Sequence, residues 1–443
     1  MLVANPAARA ESVEIGMRPA PTRDPVTLMP AHTDRPAARP GQTRNLVLAT
    51  IAFAVCFYAW SLLGPLAPDL EKQLGLSDLE SSAMVAVPVL LGAVLRVPLG
   101  LLTDRHGGRR TFTVLMVVTL VPIAGLAVFH DSLAVILALG LLLGIAGASF
   151  AVGVPMVNGW YGPERQGWAL GIYGMGMGGT VVAALTAPRI ADALGMTAPF
   201  LVALGLLAAT ALAFALLARD GRPPSAQRGS LLAPLRVFRE SGRAWALTLF
   251  YFLAFGGFVA MFLYLPKLLT GVHELTKADA GARAAGFALL AVLGRPVGGW
   301  IADRIGAERV LRLSFAATVV LAAILAFTYR EMVPLTICCL TLGAAFGIGT
   351  GAVFKLVAEW FPQQVGAVTG VVGAAGGLGG FFPPLVMGGV KSATGSYALG
   401  FLLLSGVAVV ALAVLGTVGR PKRRDAARRR PVRATGRPSA RSA

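Results

Sequence analysis

The sequence predicts an all-α membrane protein in which twelve transmembrane helices form two pseudo-symmetric six-helix bundles. Three observations lead there. The 443 residues are 56% hydrophobic and only 14% charged, with a mean hydropathy of +0.72, which is more apolar surface than a soluble domain can bury. Apolar runs of about 18–25 residues, each able to cross a ~30 Å hydrocarbon core as a helix, recur along nearly the whole chain. The chain also repeats itself at a fixed offset.

Residues 1–45 are rich in Pro, Ala and Arg and lack the apolar stretch of a signal peptide, so they read as a disordered cytoplasmic tail. Spans at 46–68, 80–102, 111–129, 133–158, 167–190 and 197–218 make a first bundle over 46–218. A polar segment with Arg and Pro, 219–244, reads as a cytoplasmic linker. Spans at 245–269, 283–302, 310–328, 332–358, 365–390 and 397–418 make a second bundle over 245–419, followed by a basic cytoplasmic tail, 420–443. All twelve are helices, because backbone in hydrocarbon must satisfy its own hydrogen bonds. The runs are too long, and too uniformly apolar, for barrel strands.

A net charge of +18 invites a nucleic-acid reading, and its distribution argues against one. With both ends inside, Arg105, Arg109, Arg110, Arg304, Arg309, Arg312, the linker and both tails fall on the cytoplasmic side. The outer loops hold few cations, among them Lys72, Arg189, Lys267 and Arg330. This is the positive-inside pattern. The run Lys422, Arg423, Arg424 and Arg428 to Arg430 has no interleaved aromatics, so it reads as an orientation signal beside anionic membrane lipid. Cys56, Cys338 and Cys339 lie inside spans and form no disulfide or metal framework, and no cofactor is expected.

The repeat pairs Arg96 with Arg295, Gly100 with Gly299, Asp104 with Asp303, Arg105 with Arg304 and Gly107 with Gly306, each 199 positions apart. The register continues through Gly144 and Gly343, Gly167 and Gly366, Gly171 and Gly370, Gly174 and Gly373, and Gly178 and Gly377. Two copies of six helices suit a pair of halves that rock about a central site. Asp104, Arg105 and Arg109, with Asp303 and Arg304, stand where an ion-pair latch at a cytoplasmic helix end can form in one conformation and release in the other.

Arg96 and Arg295 lie inside apolar spans, about 12 Å from the cytoplasmic helix ends at 1.5 Å per residue. An arginine at that depth costs several kcal/mol unless it faces the bundle interior or water, roughly 3 kcal/mol on insertion scales. No carboxylate shares the depth: Asp69, Asp192 and Glu331 sit at helix ends. A bound anion is therefore the expected counter-charge, and the planar guanidinium fork matches a planar oxyanion such as nitrate. Glycines at 171, 174, 176 and 178, repeated at 370, 373, 376 and 377, strip side chains from one helix face, which lets backbones approach and slide.

Gly100, Asp104, Arg105, Gly107, Arg109 and Arg110, with Gly299, Asp303, Arg304 and Gly306, resemble the signature of the major facilitator superfamily. Ala169 to Gly179 and Gly370 to Pro384 resemble the two signatures of its nitrate/nitrite porter family, across essentially all twelve helices. The resemblance implies the major facilitator fold, a small inorganic anion (nitrate, nitrite) as substrate, and substrate arginines at Arg96 and Arg295. It carries the family's pocket aromatics to Phe150, Tyr251 and Phe255. Met177 departs from it, standing where the first signature usually has Asn.

The histidines, His32, His106, His130 and His273, lie in tails or loops, and no span has a central carboxylate, so nitrate/nitrite exchange is expected over proton symport. Lys355 and Glu359, one turn apart near a cytoplasmic helix end, read as a possible relay at the inner mouth. Transport of cyanate or formate, or drug export, is the nearest alternative, and a non-transporting receptor is the alternative of another class. A monomer in the inner membrane is expected. The absence of a convergent Cys, His or carboxylate cluster argues against an enzyme.

Overall fold

The computed structural model describes residues 40–221, 233–394 and 396–418. The expected tails, beyond Pro40 to Asn45 and Val418, and the middle of the linker lie outside the described residues. Twelve long helices run through the rest: α1 (Gln42–Leu74), α2 (Asp78–His106), α3 (Gly108–Val128), α4 (Leu133–Asn158), α5 (Gln166–Leu194) and α6 (Thr197–Leu217). After two short helical turns (Ala233–Arg236 and Val237–Glu240) come α7 (Gly242–Val272), α8 (Lys277–Ile305), α9 (Ala307–Thr328), α10 (Met332–Trp360), α11 (Val365–Thr394) and α12 (Ala398–Val418). Among the described residues eleven are long and apolar enough to cross a membrane, and α11 adds the apolar stretch Val365–Gly380. Every expected span is a helix, several running past the apolar run because polar residues continue the turn beyond the hydrocarbon.

Helix α2 begins with a capping box: the Ser77 side chain accepts from the Glu80 backbone N–H while the Glu80 carboxylate accepts from the Ser77 backbone N–H. Thr276 caps α8 through the Asp279 N–H. Four helices depart from regular α geometry. Helix α1 turns at Ser61 and Leu62, α4 is interrupted at Ala148, α5 tightens to a 3₁₀ turn over Met175–Gly178, and α7 loosens to a π turn over Phe252–Gly256. Such defects free backbone groups and re-aim side chains. The last three sit within two residues of Phe150, at Met177 and at Phe255, so the irregular backbone clusters around the candidate site.

Within the first half α2 packs on α4 and α3 on α6; within the second, α8 packs on α10 and α9 on α12. The halves meet along two symmetry-related seams, α2 with α11 and α5 with α8. Glycines set the approach. A Cβ at Gly171 would lie 2.5 Å from the Pro296 Cα and 2.6 Å from the Arg295 carbonyl oxygen. One at its counterpart Gly370 would lie 2.6 Å from the Arg96 carbonyl oxygen and 2.9 Å from the Val97 Cα. Large apolar side chains such as Phe327, 81% exposed, cover the outside, as lipid contact requires.

The presumed gating loops are far shorter than expected. Gly107 and Gly306, at φ of 86° and 90°, turn the chain between α2 and α3 and between α8 and α9 in one residue, a conformation that disfavours any side chain. Asp104, Arg105, Asp303 and Arg304 therefore lie on last helical turns, and Arg109 on a first turn.

Candidate functional site

Arg96 on α2 and Arg295 on α8 are each 3% exposed, and their guanidinium carbons lie 5.7 Å and 5.5 Å from the centre of one ring, Phe255 on α7. The duplication thus brings both arginines to a common point in the interior. Tyr251 stacks on Phe255 at 5.1 Å with planes 2° apart, and Phe150 lies parallel to Tyr251 at 6.1 Å. The Tyr251 phenol lies against Arg295. All five residues singled out in the sequence are together. Residues 251 and 255, four apart, lie on one face of α7 across its π turn.

Neither guanidinium meets a carboxylate among the described hydrogen bonds and ion pairs, yet they are neutralised unequally. Arg96 donates through Nε and Nη2 to the Gly147 carbonyl, 3.3 Å each, and through Nη1 to the Gly373 carbonyl across the seam. Arg295 makes the symmetry-equivalent bond, Nη1 to the Gly174 carbonyl at 3.2 Å. Its Nη2 faces the Met177 thioether at 3.1 Å, a weak acceptor, and its Nε has no partner among the described residues. Both arginines were expected to lack protein counterions, and none is found among the described residues; beyond that expectation, the Gly147 carbonyl beside the break in α4 accepts from Arg96.

Glycine provides room for both side chains. A Cβ at Gly174 would lie 3.1 Å from the Arg295 Cδ, and one at Gly373 the same 3.1 Å from the Arg96 Cδ. Gly376 faces Tyr251 and Phe255, Gly377 faces Ala93, and Gly178 faces Val292. Gly176 instead packs on Phe53 and Thr50 of α1, inside the first half.

Three aromatics that the sequence reading missed complete the cluster. Phe354 of α10 stands edge-on to both Phe150 and Tyr251 at 4.7 Å. Tyr173 of α5 stacks on Phe53 at 4.9 Å and donates to the Ser149 carbonyl at 2.9 Å. Tyr173 was findable, lying between Gly171 and Gly174; Phe53 and Phe354 sit in uniformly apolar runs that give no cue.

At the basic end of the bundle the carboxylates bridge the halves through backbone N–H groups. Asp104 accepts from the N–H groups of Gly366 and Ala367, 3.1 and 2.9 Å, in the first turn of α11. Asp303 accepts from those of Gly167 and Trp168, 3.0 and 2.8 Å, in the first turn of α5. A helix N-terminus presents unpaired N–H groups and a positive dipole end, so a carboxylate from the other half caps it. The arginines act elsewhere: Arg109 ties α3 to the end of α6, its N–H to Asp220 at 3.0 Å and its Nη2 to the Ala215 carbonyl at 2.5 Å. Arg304 lies over the Trp300 ring at 3.7 Å, and Arg105 is exposed. Lys355 supplies the cation for Asp303 at 2.5 Å and also reaches Glu359 at 3.4 Å.

Two six-helix halves meeting along glycine-lined seams, with a charged, aromatic-walled centre and a cap at one end, are the architecture of a membrane transporter. The profile of the Major Facilitator Superfamily matches residues 49–328 and, again, 268–441. The chain is 42% identical over 375 residues to the "Probable nitrate/nitrite transporter NarK2" of Mycobacterium tuberculosis, covering 84% of this chain and 95% of that one. It is 40% identical over 371 residues to the "Nitrite extrusion protein" of Bacillus subtilis, with 84% and 93% covered. Among solved structures, the human organic anion transporter MFSD10 superposes with a TM-score of 0.73 at 19% identity, over 85% of this chain and all (100%) of that one. The fucose:proton symporter FucP of E. coli gives 0.68 at 16% identity, over the same 85% and 100%. The chain belongs to the Major Facilitator Superfamily and, within it, to the nitrate/nitrite porter family.

Proposed function

We propose that this transporter carries nitrate, nitrite or both across the cytoplasmic membrane by alternating access, binding the anion between Arg96 and Arg295. The observation that carries the reading is the pair of buried guanidinium groups around Phe255, one of which, Arg295, keeps an unpartnered Nε and a thioether where a strong acceptor belongs. A buried cation in that condition favours an anion, and a planar oxyanion takes two parallel N–H bonds from a guanidinium fork. The ring faces of Phe150 and Phe255 and the Tyr251 phenol suit a flat substrate. The printed names of the relatives point to the same substrates.

The basic end, where Asp104 and Asp303 cap the opposite half, is assigned to the cytoplasm, with both termini there. Exchange of nitrate for nitrite is favoured over proton symport, because the described interior residues around the arginines include tyrosines but no carboxylate or histidine. Counterflow in reconstituted vesicles tests this. Labelled nitrate uptake stimulated by trapped nitrite, and unmoved by an imposed pH gradient, is the expected result. Stimulation by external acid alone means symport, and uptake of neither anion removes the substrate assignment.

A further inference from the structure

Lys355 is a feature of the cytoplasmic end that the duplication does not repeat. Its counterpart 199 positions earlier is Met156, an uncharged side chain packed over Gly108. Lys355 is buried, 5% exposed along its side chain, and its three N–H donors have three acceptors: Asp303 at 2.5 Å, the Pro163 carbonyl at 2.7 Å and Glu359 at 3.4 Å. A lysine is kept at such a place only while paired. Its partners divide between the halves, since Asp303 and Glu359 belong to the second and Pro163 to the first.

The lysine also stands next to the substrate cluster. Phe354, the preceding residue, forms a wall against Phe150 and Tyr251. Gly351, one turn back on α10, packs on the backbone of Arg295 and Gly299. Lys355 thus links the aromatic wall to the Asp303 cap. When the halves part at this end, α5 carries off Pro163, and Asp303 loses the Gly167 and Trp168 N–H groups. One lysine donor then has no acceptor.

We propose that Lys355 changes partners during the cycle: bound to the Pro163 carbonyl while the cytoplasmic end is shut, it gives that N–H to the small monovalent anion when the end opens, making a cytoplasmic staging site. The inference rests on the substrate reading above. Asp303 holds the ammonium in place and competes with the anion for it, so the two residues have opposite effects on cytoplasmic affinity.

The test measures nitrate influx into inverted vesicles, loaded from the cytoplasmic face, and into right-side-out vesicles. Lys355→Met is expected to raise KM at the cytoplasmic face about tenfold and to leave the external KM within about twofold, as fits loss of one partly desolvated charge. Asp303→Asn frees the lysine and is expected to lower the cytoplasmic KM by about threefold. Should Lys355→Met and Asp303→Asn move KM in the same direction at both faces, the pair is only a latch and the staging site is overturned. An unchanged KM in Lys355→Met overturns it as well. If Lys355→Met does not elute as a monodisperse protein, the sign of the Asp303→Asn effect decides: a fall supports the proposal and a rise overturns it. Wild-type vesicles without nitrate or nitrite flux at either face overturn the substrate reading and this inference with it, whereas wild-type flux with an unmoved variant overturns this inference alone.

Discussion

Gly370→Ala places one methyl group in the α2–α11 seam between two bonds that cross it, from the Gly366 N–H to Asp104 and from Arg96 to the Gly373 carbonyl. The new Cβ would lie 2.6 Å from the Arg96 carbonyl oxygen and 2.9 Å from the Val97 Cα, against an ordinary contact beginning at 3.4 Å. Both obstacles are backbone, so the helices must part by about 1 Å, and overpacking of this kind costs about 1–3 kcal/mol. That cost falls on the state in which the seam is closed, so the balance shifts toward opening at the basic end by about 5- to 150-fold. Spin labels at His106 and Gln363, both exposed at that end of the seam, report the separation by double electron–electron resonance. The expected result is a longer-distance population in Gly370→Ala with slowed nitrate counterflow. Gly205→Ala, whose Cβ meets nothing within 4 Å, is expected to leave both unchanged. A Gly370→Ala protein with wild-type distances and wild-type counterflow refutes the seam argument.

Three further outcomes follow from the same contacts. Arg295→Lys should weaken nitrate binding about tenfold or more with little change in thermal stability, because a point charge cannot replace the fork; binding by calorimetry and melting in detergent separate the two. Arg96→Lys should lose both, since its fork also ties α2 to α4 and α11 through the Gly147 and Gly373 carbonyls; a melting temperature equal to that of Arg295→Lys contradicts this. At the start of α2, the Ser77 backbone N–H and hydroxyl donate to Glu80 at 2.9 and 2.7 Å and hold its carboxyl below the ordinary range. A depressed carboxyl stabilises the fold above that range and loses the contribution as pH falls through its own lowered value. Acidification from about pH 6 to about pH 3 should therefore lower the melting temperature of wild type more than that of Glu80→Gln.

The sequence made the helices legible because hydropathy summed over some twenty residues is a property of side chains, and lipid demands helix wherever the sum is high. It made Arg96 and Arg295 legible because a charge at depth and a repeat in register are both written in one dimension, whereas the aromatics at 150, 251 and 255 came from the family resemblance alone. What it did not contain is where backbone groups point. The Gly147 carbonyl reaches Arg96 beside the break of α4 at Ala148, and the π turn of α7 lies between Tyr251 and Phe255. Neither defect has a local marker such as a proline. The latch has a part that charge counting did not show: Asp104 and Asp303 accept from backbone N–H groups in the opposite half, and a cation at Asp303 comes from Lys355, 52 residues away in sequence.

The duplication fixes where the two arginines lie and leaves open how alike they are. Their shared bond, guanidinium to the carbonyl of Gly373 or Gly174 in the opposite half, keeps both aimed at Phe255. The remaining donors diverge because α4 breaks beside Gly147, whereas its counterpart on α10, Phe346, lies in an unbroken helix. On the proposed reading, Arg96 serves the closed seam even without substrate, and Arg295, with Met177 as its weak partner, gains most from an anion. Alternating access needs a site that holds an ion and releases it. A strong acceptor at every donor of both arginines would leave the anion nothing to gain, and none at either would make two buried cations repel. An intermediate arrangement, with one arginine satisfied and the other held in check by a thioether, permits binding that an opening of either end can reverse.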